Sequence, residues 1–193
     1  MKSLKELYRI GPGPSSSHTM GPQKACLEML KRCPNADHYR ADLYGSLAMT
    51  GKGHLSDQII IRTLAPRPVE VCFHMNEMKK HPNTLELHAF DAEDGLLETM
   101  TVYSVGGGVI EIEGEDAAVH APCYPHHTLD KIKAFCAAEH IGLNAYVDQF
   151  DDSDISGYLN EILIQMLKTV DAGLNASGIL PGRLKLERIA RSL

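Results

Sequence analysis

Two short segments carry side chains that could bind an anion and move a proton. The first is a run of hydroxyls with one imidazole: Ser15, Ser16, Ser17, His18 and Thr19. Pro22 suits the first turn of a helix, so these groups would lie at the positive end of a helix dipole, where anions bind. The imidazole of His18 can also exchange a proton near neutral pH. The alternative is structural, with Ser17 or Thr19 capping the helix and His18 in solvent.

The second segment is a glycine-flanked turn that brings a lysine and a histidine together. Gly51 and Gly53 permit a tight turn that presents Lys52 beside His54. Asp57 follows within one helical turn, and we expect it to orient the imidazole as in a general base. A plain surface turn, in which Asp57 caps the next helix, fits the same spacing.

The remaining histidines support weaker hypotheses. His81 lies on a loop before a predicted strand, and His88 lies on that strand, where it could line a cleft or be an ordinary structural residue. Four potential zinc ligands fall within eight residues: His120, Cys123, His126 and His127. Their spacing matches no common structural zinc pattern, so we predict no metal site on this chain.

Composition excludes several classes of protein. The 193 residues carry a net charge of −6, which argues against a nucleic-acid partner. No segment is long and apolar enough to span a membrane, and the N-terminus does not resemble a secretion signal. The five cysteines are scattered, which favours a reduced, cytoplasmic protein over a disulfide framework: Cys26, Cys33, Cys72, Cys123 and Cys136.

Hydrophobic periodicity predicts an α+β fold, with a mixed or antiparallel sheet and flanking helices. The strands are expected at Tyr39–Leu47, Val69–His74, Thr84–Phe90, Glu98–Val105 and Val109–Glu113. Helices are expected after Pro22, from Thr128 to Glu139 and from Ser153 to Asp171. Residues 11–22 contain enough glycine and proline to predict a loop, and His54–Leu64 fits either a strand or a helix.

Taken together, the motifs resemble those of the bacterial iron–sulfur L-serine dehydratases. They occur in that family's order, at residues 13–22, 44–54, 81–83, 103–108 and 178–182. Residues 1–150 resemble the N-terminal β domain or subunit, and residues 151–193 resemble the helix and connector that lead to a catalytic α domain. That β domain is similar to the allosteric substrate-binding domain of some D-3-phosphoglycerate dehydrogenases, which agrees with an α+β fold.

The resemblance implies a lyase of amino-acid catabolism and gluconeogenesis, which converts L-serine to pyruvate and ammonia. In this family a [4Fe–4S] cluster, held by cysteines of the α domain, acts as a Lewis acid on the departing hydroxyl. His54 is then the first choice for the base that removes the Cα proton, with His81 second. The residues Ser15, Ser16, Ser17, His18 and Thr19 would bind the substrate carboxylate or line the cleft, supported by Lys52.

The same resemblance predicts that the chain alone binds no cluster and is inactive. We expect an α domain or subunit as partner, and a homo-oligomer, because the apolar helix and the tail need to be covered. A second hypothesis is a non-catalytic module that senses serine or another small anion. The third is a small zinc protein built on Cys123 and its neighbouring histidines.

Overall fold

A computed structural model describes residues 1–116, 121–180 and 185–192 of the chain. The chain divides into two compact units. One comprises residues 11–117 and 179–187 and contains the sheet, and the other comprises residues 1–10, 118–178 and 188–193. Among the described residues, no helix is both long enough and apolar enough to cross a bilayer.

Five strands form one mixed sheet, which confirms the predicted α+β class. They are β1 (His38–Tyr44), β2 (Val69–His74), β3 (Thr84–Phe90), β4 (Leu96–Gly106) and β5 (Val109–Ile112). Their order in the sheet is β2-β1-β3-β4-β5. The β1 and β2 strands run parallel, and the other neighbours are antiparallel.

The core lies on one face of this sheet. Helices α1 (Gly21–Arg32) and α3 (Ser56–Leu64) pack against each other and against the strands. Alternate strand residues point toward them, so that Ala41, Leu43, Leu85, Leu87 and Ala89 are fully or almost fully buried. The intervening residues form the opposite face, which we call the polar face: Arg40, Asp42, Glu86 and His88.

Two local predictions about this unit need correction or completion. The strand expected over Tyr39–Leu47 ends at Tyr44, and a short helix α2 (Gly45–Thr50) takes its place. Gly45 has a left-handed φ of 55°, which only glycine adopts readily, and this turns the chain out of the sheet. The ambiguous segment His54–Leu64 is helical from Ser56, which buries Ile59 and Ile60 and leaves Ile61 half exposed.

The loop predicted for residues 11–22 is also only partly correct. Ser16–Met20 forms a π-helical turn that continues directly into α1. The turn forms because the Ser15 hydroxyl accepts a hydrogen bond from the His18 N–H, and the Ser15 carbonyl accepts from Thr19 and Met20. The cap therefore stabilises a helical turn directly after the glycines and prolines of residues 11–14.

The second unit is helical. It contains α4 (Leu129–Ala138), α5 (Leu143–Phe150) and α6 (Ile155–Asn175), with short 3₁₀ turns at Leu4–Glu6 and Ala190–Ser192. Helices α4 and α6 and the Thr128 cap agree with the prediction, whereas α5 was not predicted. The core of this unit is small and contains several aromatic side chains; its buried members are Tyr124, Ile132, Cys136 and Tyr146.

Candidate functional site

The hydroxyl-rich turn is built around the side chain of His18. The residue is 7% exposed, and its Nδ1 lies 2.8 Å from Ser17 Oγ. Its Nε2 lies 3.2 Å from Ser46 Oγ and 3.0 Å from Thr50 Oγ1, both on α2. Thr19 is buried as well, whereas Ser16 is exposed at the start of the turn. The cap is Ser15, so neither Ser17 nor Thr19 has the capping role considered from the sequence.

These contacts define the tautomer of His18. The single hydroxyl proton of Thr50 is donated to the Ser46 carbonyl, at 2.9 Å. The oxygen of Thr50 can therefore only accept at His18, so the proton of the neutral ring lies on Nε2. Nδ1 then accepts from the Ser17 hydroxyl. Burial lowers the pKa of His18 below its usual value, and the neighbouring His54 contributes to the lowering, so the ring is neutral at pH 7.

The glycine-flanked turn meets the hydroxyl-rich turn at His54. The ring centroids of His18 and His54 are 4.8 Å apart, and the Thr19 hydroxyl donates to the His54 carbonyl at 3.0 Å. His54 Nδ1 lies 3.1 Å from the Thr50 carbonyl, which can only accept. The neutral ring thus carries its proton on Nδ1 and leaves the Nε2 lone pair unprotonated.

The orienting group for His54 is a carbonyl, not the carboxylate that the sequence suggested. Asp57 Oδ1 accepts from the N–H of Gln58 at 2.9 Å, in the first turn of α3. The prediction that Asp57 orients the imidazole is therefore wrong. Because the carbonyl of Thr50 lies four residues before His54, the turn itself supplies the partner that was assigned to a side chain.

The motif at residues 81–83 and the chain just before it contact the site through backbone carbonyls. The Pro82 carbonyl accepts from the N–H of Ser46 at 2.7 Å, and the Glu77 carbonyl accepts from Gly45 at 3.2 Å. These bonds satisfy N–H groups at the start of α2 that have no partner within the helix. A side chain at Gly45 would place its Cβ 2.4 Å from Pro82 O, so glycine is required there for this close approach as well.

His81 itself has a different hydrogen-bonding pattern from His54. Its Nδ1 accepts from the N–H of Asn83 at 3.0 Å, so the proton of the neutral ring lies on Nε2. The Thr84 hydroxyl donates to the His81 carbonyl at 2.6 Å and fixes the turn. The ring lies near Tyr103, with centroids 5.9 Å apart. The Nε2 atom of neutral His81 thus carries a proton and is a donor, whereas Nε2 of neutral His54 has a free lone pair.

The ammonium group of Lys52 lies over an aromatic ring. Its Nζ lies 5.2 Å from the centroid of the Phe73 ring, and the side chain is exposed. The turn therefore brings His54 to His18 and the ammonium group of Lys52 to Phe73. Among the sequence-predicted residues, those in direct mutual contact are Ser15, Ser17, His18, Thr19 and His54.

Four polar residues that hold the site were not predicted. The Ser56 hydroxyl donates to the His18 carbonyl at 2.6 Å, and the Ser104 hydroxyl donates to the Ser17 carbonyl at 2.8 Å. Ser46 and Thr50 contact the His18 ring from α2. All four lie in or beside the motifs noted above, and Ser46 and Thr50 are four residues apart. Recognising residues 45–50 as a helix would have placed both on one face.

The described residues contain no group of three or more histidine, cysteine, aspartate or glutamate side chains arranged to hold a metal ion. Four of the five cysteines belong to one of two separate cores, and Cys72 lies on β2 outside both. Burial raises the pKa of four of the thiols: Cys26, Cys33, Cys72 and Cys123. They do not fit the thiolate ligand set of an iron–sulfur cluster.

The described part of the 120–127 segment does not form a zinc site either. Cys123 Sγ contacts the Met1 carbonyl, His126 Nδ1 lies 3.0 Å from the Tyr146 hydroxyl, and His127 Nδ1 lies 3.4 Å from the N-terminal nitrogen. His120 lies outside the described residues. The potential ligands are thus directed to separate partners.

Comparison with known proteins identifies a family and several relatives. The serine dehydratase beta chain family model matches residues 3–71 and 67–115. L-serine dehydratase 1 of Escherichia coli is 29% identical over all of this chain and 54% of the relative. The L-serine dehydratase of Streptomyces coelicolor is 31% identical over 97% of this chain and 53% of the relative. The chain spans about half the length of the curated relatives it matches.

Proposed function

Because the chain belongs to the serine dehydratase beta chain family, we propose that it is the β component of a cytoplasmic L-serine dehydratase. The complete enzyme converts L-serine to pyruvate and ammonia. The names of the relatives support this substrate and reaction. The observation that carries the proposal is the contact between His18 and His54, which lie 36 positions apart in the chain and bring two motifs together with their ring centroids 4.8 Å apart.

The hydroxyl-rich turn binds the substrate carboxylate in this proposal. The first N–H groups of a helix have no intrahelical acceptor, and here they belong to Ser16 and Ser17. They lie at the positive end of a helical segment that continues into α1, which favours an anion. The Ser15 and Thr19 side chains hold the turn in shape, and the exposed Lys52 contributes positive charge at the rim.

His54 is the base that removes the Cα proton. Its Nδ1–H is held by the Thr50 carbonyl, so the lone pair on Nε2 is the group left to accept a proton. His81 is the weaker candidate because its neutral ring offers an N–H at Nε2. We assign His81 a supporting role as a donor to the substrate.

The complete reaction needs more than these residues. After loss of the Cα proton, departure of the Cβ hydroxyl gives aminoacrylate, which tautomerises to an imine and is hydrolysed to pyruvate and ammonia. The cysteines of this chain form no ligand set among the described residues, so we assign an iron–sulfur cluster to the part of the relatives that this chain does not cover. The chain alone is then inactive.

We further propose that α6 contacts the α domain, which is the part of the relatives that this chain does not cover, or another copy of the chain. Four apolar side chains on the helix recur at spacings of four and three residues and are about half exposed: Leu163, Leu167, Val170 and Leu174. Such a stripe is typical of a helix that packs against another helix. Size-exclusion chromatography of the chain, with and without an α component, tests this contact.

The decisive experiment is a chimaera. The part of the Streptomyces coelicolor relative that aligns with this chain is replaced by the chain, and the anaerobically purified protein is assayed for pyruvate from L-serine. We expect turnover by the chimaera and none by the chain alone. An inactive chimaera with intact cluster absorbance would contradict the enzymatic proposal. If the isolated chain then bound L-serine in a calorimetric titration, the serine-sensing module would be the better interpretation.

A further inference from the structure

Asp42 lies at the centre of a charged cluster on the polar face of the sheet. The residue is 4% exposed, although Arg40, Cys72 and Glu86 on the same face are open or partly open to solvent. One carboxylate oxygen lies 2.6 Å from His74 Nε2, and the other lies 2.8 Å from Arg40 Nε and 3.1 Å from His88 Nε2. Two imidazoles thus lie against a single carboxylate, although only His74 meets it with hydrogen-bond geometry.

The two imidazoles connect Asp42 to different parts of the unit. His88 lies on β3, and its Nδ1 lies 3.0 Å from the Thr99 hydroxyl on β4, so this contact stays within the sheet. His74 is the last residue of β2, and its Nδ1 lies 3.4 Å from Glu77 Oε1. Its ring stacks on Tyr44, with centroids 4.7 Å apart. His74 therefore holds the start of the segment 75–83.

Segment 75–83 supplies the acceptors on which the start of α2 depends. The Glu77 N–H donates to the His74 carbonyl, and the Glu77 carbonyl accepts from Gly45. Farther along, the Pro82 carbonyl accepts from Ser46, whose hydroxyl lies 3.2 Å from His18 Nε2. An unbroken series of contacts thus leads from the Asp42 carboxylate, through His74 and the segment, to the imidazole of His18.

We propose that Asp42 is a positioning residue which, through His74, fixes segment 75–83 and with it the Ser46 hydroxyl on His18. The proposal rests on the proposed function only in placing His18 in the substrate-binding turn, beside the base His54. The physical reason is that α2 has six residues and cannot hold its own first N–H groups. Their acceptors come from a segment without regular structure, and a segment of this kind needs an anchor at its ends.

The alternative is that Asp42 only stabilises the sheet. The two histidines separate these explanations, because both contact Asp42 but only His74 is connected to segment 75–83. His74→Asn and His88→Asn are matched variants, since asparagine is too short to reach the carboxylate from either position. His74→Gln is the rescue variant, because its amide nitrogen lies near the former Nε2 position and can donate to Asp42.

The experiment follows the ring nitrogens of His18 by NMR in the isolated, isotope-labelled chain. In His74→Asn we expect the His18 ring ¹⁵N resonances to shift and its Nε2 proton to exchange about tenfold faster, because loss of the Ser46 contact exposes the ring. His88→Asn should leave both measurements unchanged, and His74→Gln should restore them. Equal effects of the two asparagine variants, or no effect of His74→Asn, would overturn the proposal.

A folding defect does not remove the test. If circular dichroism shows that His74→Asn is unfolded, the same measurements are made on Asp42→Asn, which keeps the shape of the side chain. Unfolding of both variants would overturn positioning in favour of a structural role. A shifted His18 in a chain whose chimaera has no dehydratase activity would leave the positioning inference standing and would reject the proposed function.

Discussion

His18 and His54 face each other with ring centroids 4.8 Å apart, and their neutral rings carry protons on opposite nitrogens. Thr50 is responsible for both assignments, because its hydroxyl oxygen accepts from His18 Nε2 while its carbonyl accepts from His54 Nδ1. One residue of α2 thus keeps one imidazole as a buried donor and leaves the other with a lone pair for chemistry.

The tautomers are directly measurable. We expect ring ¹⁵N chemical shifts at neutral pH to show His18 and His81 protonated at Nε2 and His54 protonated at Nδ1. On acid titration His18 should take up its second proton at a lower pH than an ordinary histidine, because burial lowers its pKa. An Nδ1-protonated His18 would contradict the hydrogen-bond assignment at Thr50.

Replacement of His54 should affect catalysis without affecting the cluster. In the active chimaera we expect His54→Ala to lower kcat by about 10²- to 10⁴-fold, the usual contribution of a general base. The iron–sulfur absorbance should be unchanged. His38→Gln is the matched control, because His38 stacks on Phe90 on the sheet and contacts none of the residues assigned to the site. Unchanged turnover in His54→Ala would remove this residue from the mechanism.

Loss of the Ser15 cap should destabilise the hydroxyl-rich turn. The Ser15 hydroxyl accepts from the His18 N–H at 3.1 Å, so Ser15→Ala should lower the free energy of unfolding by about 1 kcal/mol. Ser16→Ala is the control for stability, since Ser16 is exposed, and we expect a change within about 0.5 kcal/mol. Urea titration of both variants checks the difference. Equal destabilisation would show that the cap is unimportant.

Acid should destabilise the helical unit through Asp151. Burial alone would raise the pKa of this carboxyl, but hydrogen bonds from Ser3, Tyr124 and the N–H groups of Leu4 and Asp152 lower it to about 2. Because the folded-state pKa lies below the unfolded value, the stabilisation is complete above about pH 4 and is lost as the pH falls toward 2.

Asp151→Asn tests this contribution. Helical content followed by circular dichroism should depend less on pH between about 4 and 2 in the variant than in the parent chain. Asp148→Asn, which changes a carboxylate that accepts from Ser156 and leaves Asp151 intact, should keep the parent's dependence. The same acid profile in all three proteins would argue against Asp151.

Much of the fold was accessible from local pattern. Strands Val69–His74 and Thr84–Phe90 have the predicted bounds, because alternating or continuous apolar residues encode burial directly. The departures occur where a single contact outweighs propensity. The Ser15 cap stabilises a helical turn in a segment whose glycines and prolines predict a loop. At Gly45 the predicted strand ends and α2 begins. A capping hydrogen bond and a glycine turn leave no hydrophobic periodicity in the sequence, so pattern analysis does not detect them.

The candidate site divides in the same way. The chemistry-bearing residues lie in unusual motifs, so residue types and spacing indicated Ser15 to Thr19 and His54, and the family resemblance added His81 as a second candidate base. Their partners did not follow from spacing: Asp57 was the nearest carboxylate in sequence, yet the Thr50 carbonyl lies 3.1 Å from His54 Nδ1. A backbone acceptor is present at every residue, so only the path of the chain determines which one is used.

The amino-acid order by itself therefore determined the class of fold, the family resemblance and the set of polar residues available for catalysis, because composition, periodicity and motif order are local properties. Only the tertiary structure decided that His18 is buried against His54, which nitrogen of each ring carries the proton, and that Asp42 connects to them through His74. Those facts depend on hydrogen bonds between segments distant in sequence, and their geometry exists only after the strands and helices have packed.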